Sequence, residues 1–288
     1  MDDYRNEKEL VTLISSDKSS AGLVKTLRRL RLEVKESRHV FIRLFLRDFK
    51  SQFQQKFLGY LWVILTPLFL VSSYLVLFGL GVLKPGEGEI SYPLYVLIGS
   101  SIWSAMATAI LDVSSSLQTQ SDLILRTRIP KIAVAVSSLM TVSYGVITNM
   151  LVTLVVFALL RQMPTPWFLI YPVLVLPMLM IGFSIGLVLS TVGQVAKDLV
   201  PIVLQVVSLL MFVTPVVYLQ SSGQTGVLGK IVEFNPLTYL VSFPRDLITS
   251  GESTQIVGFL LALLLVTLVF LFAIHLFYLL VDLVAERL

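Results

Sequence analysis

The sequence predicts an all-α polytopic membrane protein, and three observations carry that prediction. Of its 288 residues 56% are hydrophobic and only 14% are charged, with a mean hydropathy of +0.86; a soluble globular domain carries roughly 25% charged residues. No charged residue occurs between Lys56 and Lys84, and a hydrocarbon core about 30 Å thick needs about 20 such residues in a helix. The apolar runs also lack the alternation of strands. In lipid every backbone group must be satisfied within its own segment, which leaves helices.

The order of elements follows from where charge is missing. Residues 1–22 are polar and Ser-rich and read as a flexible tail. The opening MDDYRNEKEL has four acids, two bases and no short apolar core behind it, against a cleaved signal peptide. Over residues 23–57, Leu23, Leu27, Leu30 and Val34 fall at helical spacing among Lys25, Arg28, Arg29, Arg31 and Lys35. Phe41, Phe45, Phe49, Phe53 and Phe57 then recur at every fourth position. This is the pattern of a basic amphipathic helix lying in the membrane interface. A solvated helix on a cytosolic partner explains the charges well but the Phe ladder less well.

Residues 58–288 form the membrane domain, with charge-free spans expected at about 59–83, 90–111, 132–160, 167–196, 199–219 and 256–281. Each is long enough to cross with some tilt. Six spans put both termini on one side, and that side holds 18 Lys and Arg against 4 on the other. The positive-inside rule makes the termini cytoplasmic. Trp62, Trp103 and Trp167 fall near expected span ends, where interfacial anchors sit.

Two connections stand apart. Between the second and third spans, DVSSSLQTQSDLILRTRIPK is too polar for lipid and is expected to form a short cytoplasmic helix, from Ser114 to Pro130. Between the fifth and sixth, residues 220–255 are external but only moderately polar, with apolar clusters on both sides of Asn235-Pro236. A partly re-entrant helical pair, shielded by protein, and a plain surface loop both fit.

Chemistry-bearing patterns are few. The chain has no cysteine, which excludes disulfides and thiolate sites. Asp112, Asp198 and Asp282 fall at cytoplasmic span ends; His275 is the one histidine inside a run and reads as a hydrogen-bonded packing residue. No H-E-x-x-H spacing occurs, and the other histidine, His39, is in the amphipathic region. GQTGVLGKI, residues 223–231, superficially echoes a phosphate-binding loop, but it has one residue too many before Gly-Lys and lacks the Ser/Thr. The build is that of a transporter whose energy comes from a partner, or whose flow is passive.

Arg47-Asp48, then Leu58-Gly59-Tyr60-Leu61-Trp62 and Thr66-Pro67, resemble the opening of the membrane subunits of type-2 ABC exporters, most nearly those of polysaccharides, O-antigen and teichoic acid. Further matches follow in register. They are Tyr92-Pro93-Leu94-Tyr95 with Gly99 and Trp103, Asp122-Leu123-Ile124 leading to Arg126 and Ile129-Pro130-Lys131, Lys197-Asp198, Thr214-Pro215 with Tyr218, and Asn235-Pro236. The resemblance covers about residue 38 to the C-terminus. Ile129-Pro130-Lys131 replaces the family's usual Phe-Pro-Arg, and Lys197-Asp198 its Arg-Asp; both keep the charge.

The resemblance implies a homodimer with two copies of a separate ABC ATPase, exporting a lipid-linked polysaccharide across the bacterial cytoplasmic (inner) membrane. No cofactor is expected in this chain, ATP and Mg being bound by the partner, and no nucleic-acid partner is expected. The implied roles are ATPase coupling at Arg126, Arg128, Pro130, Lys197 and Asp198, and contact with the anionic lipid head at Arg43, Arg47, Lys50 and Lys56. Tyr74, Phe78, Phe212 and Tyr218 would line the channel, where aromatic faces stack on sugar rings. The residues 220–255 would be re-entrant helices capping the pore. Alternatives are an ABC exporter of drugs or small lipids, a membrane-embedded glycan-modifying enzyme, which lacks a carboxylate or His constellation, and a structural anchor.

Overall fold

The structure, a computed structural model, describes residues 22–54, 61, 65–66, 68–69, 72–73, 76, 79–80, 91–127, 129–218 and 227–284. Among these the regular structure is helical: α1 (Leu23–Glu36), α2 (Arg38–Gln54), α3 (Tyr92–Thr119), α4 (Ser121–Thr127), α5 (Lys131–Leu159), a 3-10 turn (Pro166–Ile170), α6 (Tyr171–Val192), α7 (Leu199–Val213), α8 (Val227–Phe234), α9 (Pro236–Thr249) and α10 (Ile256–Val284). Most of the expected first span lies outside the described residues, as do residues 1–21, Lys56, Trp62, Tyr74, Phe78 and Arg128.

Among the described residues, four helical units are long and apolar enough to cross a membrane: Tyr92–Thr119, Lys131–Leu159, Pro166–Val192 and Ile256–Val281. The chain is therefore a multi-pass membrane protein. The expected fifth span is shorter than its charge-free run. α7 has 15 residues, about 22 Å at 1.5 Å per residue, and the chain leaves the helix at Thr214.

α3 is the hub. In its most apolar window 78% of residues are buried, against 17% in α10, so α3 is enclosed by protein while α10 presents most of its surface outward. Trp103, expected as an interfacial anchor, is only 4% exposed and sits in the core of α3; the helix continues well beyond it in both directions. α3 packs against α6 where Gly182 and Gly186 stand four residues apart. A Cβ on Gly182 would lie 2.6 Å from Met106 O, and one on Gly186 2.8 Å from Val113 Cβ. Small residues at this spacing let two helix backbones approach closely where no hydrophobic drive separates helix from lipid.

The expected Ser114–Pro130 helix is two pieces. α3 runs through to Thr119, a separate short helix α4 follows, and Pro130 serves as the N-cap residue of α5. The hydroxyls that make this stretch read as polar are spent locally: Ser114 donates to Leu111 O (2.9 Å) and Thr119 to Ser115 O (2.9 Å). A helix whose hydroxyls bond its own carbonyls tolerates burial despite a polar sequence. Asp112, expected at a span end, consequently stands seven residues inside α3.

The amphipathic region is two helices, broken at buried Ser37. α2 turns part of its Phe ladder onto the bundle: Phe49 meets Tyr144 of α5 edge-on with centroids 4.6 Å apart, and Leu44 is buried. α1 lies on the last helix. Tyr278 Oη donates to Glu33 Oε2 (2.9 Å), Thr26 Oγ1 is 3.2 Å from His275 Nδ1, and the Arg29 guanidinium sits 4.9 Å from the Tyr278 ring centroid. His275 is thus the hydrogen-bonded packing residue expected of it.

Candidate functional site

Two polar clusters occupy opposite ends of the helical bundle. The first surrounds the segment that follows α7, Thr214-Pro215-Val216-Val217-Tyr218, whose carbonyls have left the helical ladder. Tyr92 Oη donates to Val217 O (3.0 Å) and Tyr95 Oη to Tyr218 O (2.9 Å). Arg245, on α9, is 2% exposed; its Nη1 donates to Pro215 O (2.9 Å), its Nη2 to Ser242 Oγ (3.3 Å), and its Cζ lies 3.7 Å from the Tyr95 ring centroid. A buried cation over an aromatic face is stabilised by the ring quadrupole.

Asn235 closes the cluster. Its Nδ2 donates to Thr214 Oγ1 (2.9 Å) while its Oδ1 accepts from Leu237 N (3.0 Å). One side chain therefore caps α9, with Pro236 in its first turn, and ties that cap to the end of α7. Gly99 completes the fit, because a Cβ there would lie 2.5 Å from Val216 O and 3.2 Å from Arg245 Nη1. Tyr92, Tyr95, Gly99, Thr214-Pro215, Tyr218 and Asn235-Pro236, scattered over the sequence, form one physical object.

The second cluster lies at the end carrying α1 and α2. Arg47 Nη2 bonds Asp48 Oδ1 (2.7 Å) and Gln120 Oε1 (2.6 Å), and Gln120 Nε2 donates to Asp48 Oδ2 (3.3 Å). This triad ties α2 to the junction between α3 and α4. Lys131 Nζ donates to Val281 O (2.8 Å), holding the start of α5 to the last turns of α10. The charge of Ile129-Pro130-Lys131 is therefore turned inward at Lys131.

The residues singled out from sequence divide between these regions. Arg43, Arg47 and Lys50 are exposed on α2, with Arg47 engaged in the triad. Arg126 is exposed in the last turn of α4, and Lys197 and Asp198 are exposed in the turn before α7. Pro130 is half-buried. Phe212 is 62% exposed near the end of α7, whereas Tyr218 is half-buried and donates to Val213 O (3.2 Å). Phe212 thus presents its ring outward while Tyr218 is held within the turn. Arg245, Gln120 and the depth of Asp112 were missed by sequence reasoning. The signal for Arg245 was present: one arginine closing the largely apolar LTYLVSFPR, the kind of costly charge that marks a built site.

Comparison with known proteins gives the family. The family model described as ABC-2 type transporter matches residues 39–248, from α2 to the last turn of α9. An O-antigen export system permease protein RfbA of Myxococcus xanthus is 26% identical over 215 residues, covering 74% of this chain and 82% of that protein. A protein of the same name from Klebsiella pneumoniae is 23% identical over 206 residues, covering 71% and 78%. The match takes in the first polar cluster, the Arg47-Asp48-Gln120 triad of the second and three of the four membrane-crossing units found among the described residues, and the chain belongs to the ABC-2 type transporter family as a transport subunit rather than an enzyme.

Proposed function

We propose that this chain is the permease subunit of an ATP-driven exporter of a lipid-linked polysaccharide of the O-antigen kind, crossing the cytoplasmic membrane six times with both termini in the cytoplasm. The observation that carries the proposal is the alignment with O-antigen export permeases over 82% and 78% of their length. Two copies of the chain would enclose the path, driven by two copies of an ABC ATPase that binds ATP and Mg. The weakly charged bundle suits a polar, largely uncharged polymer better than an ion.

Roles follow from position. Exposed Arg126, Lys197 and Asp198, with Arg128 and Pro130, are proposed to take the push of the ATPase; coupling needs physical contact with an element that has two arrangements. Exposed Arg43 and Lys50, with Arg47 and Lys56, are proposed to gather the anionic lipid head, at about 1 kcal/mol per cation near an anionic surface. Arg47 contributes less than the others because Asp48 already balances it. Outward-facing Phe212, with Tyr74, Phe78 and Tyr218, is proposed to line the path. α8 and α9 are proposed to be the re-entrant pair.

The test is deletion of the gene in its host, followed by surface labelling of envelope glycan and extraction of lipid-linked intermediates. Loss of the surface glycan with accumulation of its lipid-linked form on the inner side is expected. Unchanged glycan with increased sensitivity to amphiphilic drugs would move the chain to the drug-export reading.

A further inference from the structure

A cavity of about 310 Å³ opens between α2, the last turns of α3 and the first half of α5, and every residue lining it carries a polar group, two carboxylates, one amide and six hydroxyls, with their aliphatic carbons completing the wall. It is an open groove that runs along the helices. From Thr119 back to Asp112 is seven residues of α3, about 10 Å of helix, and Thr141 lies ten residues into α5, about 15 Å. An ionisable side chain at that depth is costly unless it faces a polar cavity, and one placed there marks a pathway or a ligand.

The hydrogen-bond inventory gives the cavity a direction. Ser115 donates to Leu111 O (3.0 Å), Ser116 to Val113 O (2.7 Å), Thr119 to Ser115 O (2.9 Å) and Thr141 to Ser137 O (3.3 Å); Ser51 and Ser138 likewise donate to backbone carbonyls. A hydroxyl carries one proton and two lone pairs, so these groups have spent their donors and face the cavity as acceptors. Asp48 is engaged by Arg47 and Gln120. No hydrogen bond to the Asp112 carboxylate is found among the described residues. The polar groups of the wall nearly all accept and almost none donates.

We infer that this cavity binds a sugar unit of the transported glycan, with Asp112 and the hydroxyls of α3 and α5 accepting from its hydroxyl protons, and the inference rests on the glycan-export reading above. A sugar ring offers several donors in a compact neutral frame. The volume lies at the lower end of the roughly 300–1,000 Å³ range of ligand pockets, enough for a ring or two rather than a long segment. A neutral polyol suits the cavity better than a compact cation, since Arg47 already offsets one of its two carboxylates. It also suits it better than a partner's side chain, because the cavity runs along the helices and not across an end surface.

The test uses the complete complex with its ATPase in lipid nanodiscs. The native chain has no cysteine, so a single Ser115→Cys variant reports on the cavity through its rate of labelling by a hydrophilic maleimide. The probes are the host's own surface glycan freed from its lipid by mild acid, the lipid carrier stripped of glycan, and spermidine. The inference expects at least a threefold slowing by free glycan alone. It also expects Asp112→Asn to raise about tenfold the glycan concentration that half-stimulates ATPase activity in the cysteine-free chain, with a smaller change in the maximal rate. Protection by spermidine or bare carrier but not by glycan overturns it, as does labelling already blocked by the ATPase partner with no further effect of glycan. If glycan stimulates the ATPase of the native complex and yet protects nothing, the inference fails while the export reading stands. If glycan does not stimulate the native complex at all, the export reading fails and takes the inference with it.

Discussion

Arg245 shows how one side chain can serve the carbonyls beyond a helix end. Just past the end of α7, the carbonyls of Pro215 and Val216 accept from a guanidinium on α9 (2.9 and 3.4 Å). Arg245→Met keeps much of the volume but leaves those carbonyls buried without that donor and removes the cation from the Tyr95 face. A loss of about 2–4 kcal/mol is expected, read as a fall in the melting temperature of the purified complex; an unchanged melting temperature would deny the arginine this role. Gly99→Ala is expected to act on the same turn, because the added methyl meets Val216 O and Arg245 together. The double variant should cost less than the two singles combined, as groups sharing a partner couple. The sequence displayed Arg245 as a lone cation but could not display its partners. Backbone carbonyls some thirty positions back carry no residue signature. Asn235-Pro236 was more legible, since the capping chemistry that starts α9 is written in those two residues.

At the scale of elements, sequence reading failed where polarity was settled locally. Ser114 to Thr119 looked like a connection because hydroxyls count as polar, yet each of those hydroxyls bonds a carbonyl of its own helix and α3 continues. Ser37 gave no sign that the amphipathic region would break. The Phe ladder was legible as a helical face but not as one that packs in part on α5. α1 is held to α10 by polar contacts as well as by the packing of Leu30, so its attachment is expected to be tunable. Tyr278→Phe removes the hydrogen bond to Glu33, worth roughly 1.5–3 kcal/mol when the acceptor is charged. Amides of residues 23–36 should then exchange with deuterium several-fold faster while α3 and α6 are unaffected; equal exchange would mean that apolar contacts, such as that of Leu30, hold the helix. For coupling, charge reversal at Arg126 combined with Asp198→Lys is expected to reduce co-purification of the ATPase. Full recovery of the partner would place its contact elsewhere.

The whole molecule is organised by the close approach of α3 and α6, which leaves little room for anything larger than glycine at positions 182 and 186. Gly186→Leu would drive a side chain into Val113 and the carbonyls of Ala109 and Ile110, and is expected to abolish recovery of folded protein; wild-type yield would show that the two helices have room to part. The number of apolar segments to expect is legible in the charge-free runs, because lipid imposes that requirement locally. They could not tell which helix would be enclosed, since a core helix and a lipid-facing helix are equally apolar; only packing separates α3 from α10. The central claim is that this bundle moves a lipid-linked glycan at the expense of a partner's ATP. Its most direct test is reconstitution of the chain with its ATPase in proteoliposomes carrying the host's lipid-linked glycan on the outer leaflet, in the orientation that exposes the ATPase. The account predicts that ATP moves the glycan into a compartment protected from an added glycosidase, and that a hydrolysis-deficient ATPase does not. Glycan that stays fully digestible while ATP is turned over would contradict it.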